Sequence, residues 1–132
     1  MTTTSMHGAV SGVPHTWLRI EGAAFLVAGA AAYLALGGPW PLLVPLVLLI
    51  DASMAGYLAG PRVGAIVYNL AHNQATALLV LGAGALIGSG PLLLAGTVLV
   101  AHSGMDRLAG YGLKYPTSFG DTHLGRIGKG VR

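Results

Sequence analysis

The sequence predicts an all-α membrane protein: an antiparallel bundle of four transmembrane helices with both termini on the cytoplasmic side. Three observations predict it. Charge is scarce, the few charges leave long apolar gaps that Gly-Pro clusters divide, and every Lys and Arg falls on one side of the resulting spans. Of the 132 residues, 54% are hydrophobic and 8% are charged. A soluble domain carries about a quarter charged residues, so this chain cannot clothe a water-facing surface. At this length one domain is expected.

The spans follow from the gaps. No charge lies between Glu21 and Asp51, or between Arg62 and Asp106. About 20 mostly apolar residues cross a bilayer as a helix. Gly37-Gly38-Pro39-Trp40-Pro41 divides the first gap and Gly88-Ser89-Gly90-Pro91 the second, both turn signals. The expected helices therefore cover residues 18–36, 42–59, 63–87 and 92–113. The second is the least regular, with Pro45 near its start and Asp51 inside it. Lipid offers backbone groups no hydrogen bonds, so the spans must be helices. Residues 1–16 read as a flexible tail, residues 17–115 as the transmembrane domain and residues 116–132 as a polar cytoplasmic tail. A cleaved signal peptide in place of the first span is the alternative, although no Lys or Arg precedes it.

Orientation follows from Arg19, Arg62, Arg107, Lys114, Arg126, Lys129 and Arg132, which all fall on one side. The positive-inside rule makes that side cytoplasmic. Trp17 and Trp40 sit near opposite interfaces, as aromatic belts require. With no Lys/Arg run, the net charge of +3 gives no nucleic-acid footprint. The absence of Cys excludes disulfides, thiolate metal sites and Cys nucleophiles.

Ionisable residues within spans are costly and mark functional sites by default. Asp51, His72, His102 and Asp106 qualify. At about 1.5 Å per residue all four fall between the bilayer centre and the cytoplasmic face. His102 and Asp106, at i and i+4, share a helical face. Asn69, His72, Asn73 and Thr76, at i, i+3, i+4 and i+7, share another. Two imidazoles and two carboxylates can ligate zinc, iron or manganese. Asp51, His102 and Asp106 are then also the candidate acid, base or catalytic groups. Asn69, Asn73, Tyr111 and His123 are candidates to support them. Without metal the same groups can relay protons, and His72 with His102 can ligate a haem axially. Structural packing is the alternative: Asp106 paired with Arg107, or Asp51 bonded to Asn69 or His72. Tyr57, Tyr68 and Tyr111 read as interface anchors or as donors to the cluster. The tail carries Asp121, His123 and Arg126, and either folds over the cytoplasmic mouth or stays solvated.

Two segments look alike. Asp51-Ala-Ser-Met-Ala-Gly-Tyr-Leu-Ala-Gly-Pro61 and Asp106-Arg-Leu-Ala-Gly-Tyr-Gly-Leu-Lys-Tyr-Pro116 each run from Asp through Ala-Gly-Tyr to Pro. Repeated helical hairpins and coincidence both account for that.

Extended to Asp51–Gly64 and Ala101–Pro116, and together with Leu18-Arg-Ile-Glu-Gly22, Tyr68-Asn-Leu-Ala-His72 and Phe119-Gly-Asp-Thr-His-Leu-Gly125, these segments resemble a bacterial family. It is known as domain of unknown function 4260, and its members are small four-helix membrane proteins. The resemblance covers nearly the whole chain after the first dozen residues. It implies a multi-pass protein of the bacterial cytoplasmic membrane and brings no activity, substrate or cofactor. Three functions are thus open: a metal-dependent membrane enzyme, a small proton-coupled transport protein, or an accessory subunit. The expected partners are the lipid bilayer and a second copy or a larger membrane complex.

Overall fold

A computed structural model of the chain describes residues 8–127. Residues 1–7 of the expected N-terminal tail, and the basic residues Lys129 and Arg132, lie outside the described residues. The fold is all-helical: α1 (Gly12–Ala35), α2 (Trp40–Leu49), a 3₁₀ helix (Ile50–Ala59), α3 (Pro61–Ala71), α4 (Gln74–Ile87) and α5 (Gly90–Ala109). A small antiparallel hairpin, β1 (Asp121–Thr122) with β2 (Gly125–Arg126), follows.

The first and last helices arise where the apolar gaps place them. α1 starts at Gly12, earlier than expected, because Pro14 is tolerated in a first turn. It stops where Gly37 takes φ 85°, a left-handed conformation that suits glycine. Ser89 caps α5 by accepting from the Leu92 amide at 3.3 Å, and left-handed Gly110 ends it.

The middle of the chain departs from expectation twice. The second span is α-helical only to Leu49 and then continues as a ten-residue 3₁₀ helix. Such runs seldom exceed 3–4 residues. Pro45 has already removed one helix donor upstream, and Gly60 and Pro61 close the segment. The third span is not one helix either. It breaks after Ala71, and α3 and α4 meet at a bend of 48°. Asn73 is the cause: its side chain accepts from the Thr76 amide at 2.8 Å and starts α4 afresh. The single polar face expected from Asn69 to Thr76 therefore does not form.

α5 is the axis of the molecule. It packs along α1 and α4 and carries half of the buried helical residues. Glycines bring α1 and α5 together. A methyl at Gly29 would stand 2.6 Å from the Ala101 backbone nitrogen, and one at Gly104 2.5 Å from that of Leu26. Such contacts replace the hydrophobic drive that helices lack in lipid. Outward, Trp40, Leu58, Leu79 and Leu86 are largely exposed. An apolar exterior of this extent suits lipid, not water. α1 and the continuous stretch Trp40–Ala59 are long and apolar enough to cross a membrane, and the bent α3–α4 pair makes a third candidate. α5 is not among them; its inward face carries His102, Ser103 and Asp106, which lower its hydropathy.

Candidate metal centre

The two irregular stretches bring the site together. The 3₁₀ helix carries Asp51 in its first turn. The break between α3 and α4 leaves His72 at the C-terminal cap of α3. α5 presents His102 and, one turn on, Asp106. One ligand-type atom from each of the four lies within 4.8 Å of the others.

The five edges that involve a histidine are short. The Nε2 atoms of His72 and His102 are 2.9 Å apart. Asp51 Oδ1 stands 3.3 Å from His72 Nε2 and 3.1 Å from His102 Nε2. Asp106 Oδ2 is 3.6 Å from each. Two ligands each about 2.1 Å from one ion stand about 3.0 Å apart at a right angle and about 3.4 Å at the tetrahedral angle. The observed edges span that range.

The far side of each ring assigns its tautomer. His72 Nδ1 lies 2.8 Å from the Tyr68 carbonyl, and His102 Nδ1 lies 2.6 Å from the Val47 carbonyl. A carbonyl only accepts, so both Nδ1 atoms carry hydrogen. A neutral ring then turns the lone pair of Nε2 toward the centre. Metal-ligating histidines are held in this way, the distal N–H given to a carbonyl or carboxylate. Tyr68 adds a further support: its hydroxyl donates to Asp106 Oδ2 at 2.7 Å, and its ring stacks on His72 with centroids 3.7 Å apart.

The two carboxylates differ in access. Both histidines are fully buried, and the Asp106 side chain is 8% exposed. That of Asp51 is 37% exposed, so the cluster opens on its side.

The other expected residues lie elsewhere. Asn69 holds the chain after α5, donating to the Lys114 carbonyl at 2.9 Å and accepting from the Lys114 amide at 2.7 Å. Asn73 caps α4. The Tyr111 carbonyl accepts from Arg107, and the Tyr111 side chain is half exposed. The tail does fold back, but His123 accepts the Leu113 amide at 2.8 Å and Asp121 pairs with Arg126 at 3.5 Å, so neither joins the cluster. Arg107 donates to the His72 carbonyl at 2.8 Å and forms no ion pair with Asp106. A haem between the histidines is ruled out geometrically, because 2.9 Å between Nε2 atoms leaves no room for a porphyrin. Tyr57 packs edge-on against Phe119, and Tyr68 is the tyrosine that donates to the cluster. Its position four residues before His72 was the available signal.

Beyond the helices, the docked tail has its own electrostatics. Lys114 is buried with its ammonium over the Phe119 ring at 3.8 Å and the Tyr68 ring at 4.8 Å. Burial lowers its pKa from 10.5 to about 8, although Asp106 and Asp51 oppose the shift. Burial and the Arg107 charge push the His123 pKa down. A hydrogen bond from Thr117 keeps that of Asp121 low.

The model of a family described as "Domain of unknown function (DUF4260)" matches residues 15–127, so the chain belongs to that family. No curated protein and no solved structure matches the chain.

Proposed function

We propose that this member of the family is a multi-pass protein of the bacterial cytoplasmic membrane and that Asp51, His72, His102 and Asp106 hold one divalent transition metal for catalysis. One observation carries the reading. Four electron-pair donors converge, with every edge that involves a histidine at 2.9–3.6 Å, while both distal Nδ1–H groups are engaged with carbonyls. Four such atoms repel one another unless a positive charge lies between them. The donor set suits zinc, iron or manganese. When bound, such an ion supplies Lewis-acid polarisation of an oxygen ligand and a lowered water pKa. The protein's own groups divide the remaining work. His72, His102 and Asp106 fix position, and Asp51, on the open side, is placed to accept a proton or to yield its position to substrate.

The bilayer arrangement belongs to the same reading. Four crossings, with α3 and α4 as one bent span and α5 as the fourth, put every described Lys and Arg at one end. The positive-inside rule makes that end cytoplasmic. Because the chain has no Cys, single introduced cysteines test this directly. Cysteines at the exposed Pro39 and Gly90 should react with an impermeant thiol reagent from outside, and cysteines at Arg62 and Thr117 should not. The reverse pattern overturns the orientation.

Elemental analysis of detergent-purified protein, wild type beside His102→Ala, tests the centre. Near-stoichiometric metal that the variant loses is the expected result. A wild type that takes up none of the three metals, with stability indifferent to chelator, overturns it. A second reading has one observation in its favour: 2.9 Å between Nε2 atoms is also a hydrogen bond if one ring is protonated. The cluster then relays protons, and proton flux in vesicles that Asp51→Asn abolishes would distinguish it.

A further inference from the structure

Two hydrogen-bond donors beside the centre have no acceptor among the described residues. The Tyr57 hydroxyl is buried and unpartnered. Lys114 is 4% exposed, and its ammonium forms no ion pair and no hydrogen bond among the described residues. A buried charge is costly unless something pairs with it. Both donors border one ring: the ammonium lies 3.8 Å from the Phe119 centroid, and the Tyr57 ring meets Phe119 edge-on at 5.3 Å. The ammonium is held there by its backbone. Asn69 bonds the Lys114 amide and carbonyl, and Lys114 pairs with Thr122 across an antiparallel bridge.

The same elements tie these donors to the metal ligands. Residues three apart eclipse in a 3₁₀ helix, so Asp51 and Tyr57, six apart, share one face. Facing them, Gly64, Tyr68 and His72 follow at intervals of four along α3 to its cap. The two stripes run in opposite directions. Asp51 meets His72 at one end, and at the other the Tyr57 ring fills the space that a Gly64 methyl would need. Tyr68 stands between the ends: its ring stacks on His72 and lies 4.8 Å from the Lys114 ammonium, and its hydroxyl holds Asp106. The charges of Asp106 and Asp51 act on Lys114 without touching it. At about 2.0 Å per residue, about 12 Å of 3₁₀ helix separates Asp51 from Tyr57, a span that one small organic molecule covers.

We infer that Lys114 and Tyr57 form an anion site beside the metal centre, and that the substrate is an organic oxyanion whose carboxylate, phosphate or sulfate group binds there. Its reacting end then lies at Asp51, on the open side of the cluster. An ammonium only donates, so a neutral partner would leave its charge unpaired, whereas an oxyanion accepts from both groups in charge-assisted bonds. The role in substrate binding rests on the metal reading above; the anion site itself does not.

Sulfate tests the site, because it stays charged at every working pH and is a poor ligand for zinc. Full-length protein in detergent, metal-free and zinc-loaded, is titrated calorimetrically with sodium sulfate at constant ionic strength. Wild type should bind. Lys114→Met should weaken binding about tenfold or more and Lys114→Arg should restore most of it, while Tyr57→Phe should cost about threefold to tenfold. Arg62→Gln removes an equal charge from an exposed position and should change affinity less than about twofold. Should Lys114→Met fail to fold, Tyr57→Phe decides alone. No sulfate binding in wild type, affinity unchanged in the site variants, or an equal loss in Arg62→Gln overturns the inference and leaves the centre standing if zinc binds. Zinc uptake is measured first. Protein that takes up none overturns the centre and the substrate role, and sulfate binding to the metal-free variants then decides the anion site by itself.

Discussion

Asp51 and Asp106 open two look-alike segments and reach the same pair of histidines, yet the surroundings differ. Asp106 rides on a regular α-helix at the centre of the fold, nearly buried and held by the Tyr68 hydroxyl. Asp51 sits on a 3₁₀ helix with its side chain 37% exposed, and its hydrogen bonding goes to the histidine pair. Similar local sequence has thus produced one anchored carboxylate and one accessible carboxylate. The difference teaches that packing around each Asp, and not the motif that carries it, sets how accessible the carboxylate is.

Substitution of the two carboxylates should separate these roles most strongly. Asp106→Asn leaves a bound cation short of its buried carboxylate and should cost the metal-loaded protein roughly 3 kcal/mol of stability along with metal affinity. Asp51→Asn should lose metal affinity or turnover with little change in thermal midpoint. Chelator titration and thermal melts of both variants check this, and equal losses of stability would dissolve the distinction.

The backbones beneath the two carboxylates should differ next. Gly104→Ala drives a methyl into the backbone of α1 and should cost about 1–3 kcal/mol. Gly56→Ala, on the 3₁₀ helix, brings a methyl 2.9 Å from the Val67 Cβ, a looser contact than the 2.5 Å backbone contact at Gly104, so the loss should be smaller. Melting curves in one detergent compare them.

Tyr68→Phe sharpens the comparison from the Asp106 side alone. Removing that donor should weaken metal binding about tenfold to a hundredfold, the usual range for such supporting bonds, with the fold intact. Binding isotherms that match wild type would show that the hydroxyl does not support the ligand.

The smallest effect concerns the docked tail. His123 accepts the Leu113 amide only while its Nδ1 is unprotonated, and its pKa is lowered in the fold. The unfolded chain therefore binds more protons, and stability falls as pH drops below about 6.5 toward the folded pKa. His123→Asn keeps an acceptor in place and should flatten that dependence. Hydrogen exchange at the Leu113 amide, followed between pH 7 and pH 5, reports it; no change in wild type would break the link between this bond and tail docking.

Much of the helical layout was legible because lipid leaves few options. The long uncharged gaps and the Gly-Pro clusters mark α1, the α2 entry, the α4–α5 turn and α5 to within a few residues. The break at His72 was less legible, although Asn73 followed three residues later by Thr76 is a capping signal that apolar periodicity obscured. His102 with Asp106 was a local pair, readable from helical spacing. The supporting residues were misread for a physical reason. Asn69, Asn73 and Tyr111 share the chemistry of second-sphere groups, but that chemistry also satisfies caps and tail backbone, and spacing does not reveal which need is met.

The sequence by itself determined an apolar, helical, Cys-free chain with four ionisable groups set within long apolar stretches, since hydropathy and charge act locally and need no partner. Tertiary structure decided that these groups meet within 4.8 Å, that both rings turn Nε2 inward and that one carboxylate stays open. Those outcomes depend on a 3₁₀ helix, a 48° bend and a glycine seam acting together. Convergence of residues from three helical elements is set by how backbones pack, which no single stretch of sequence encodes.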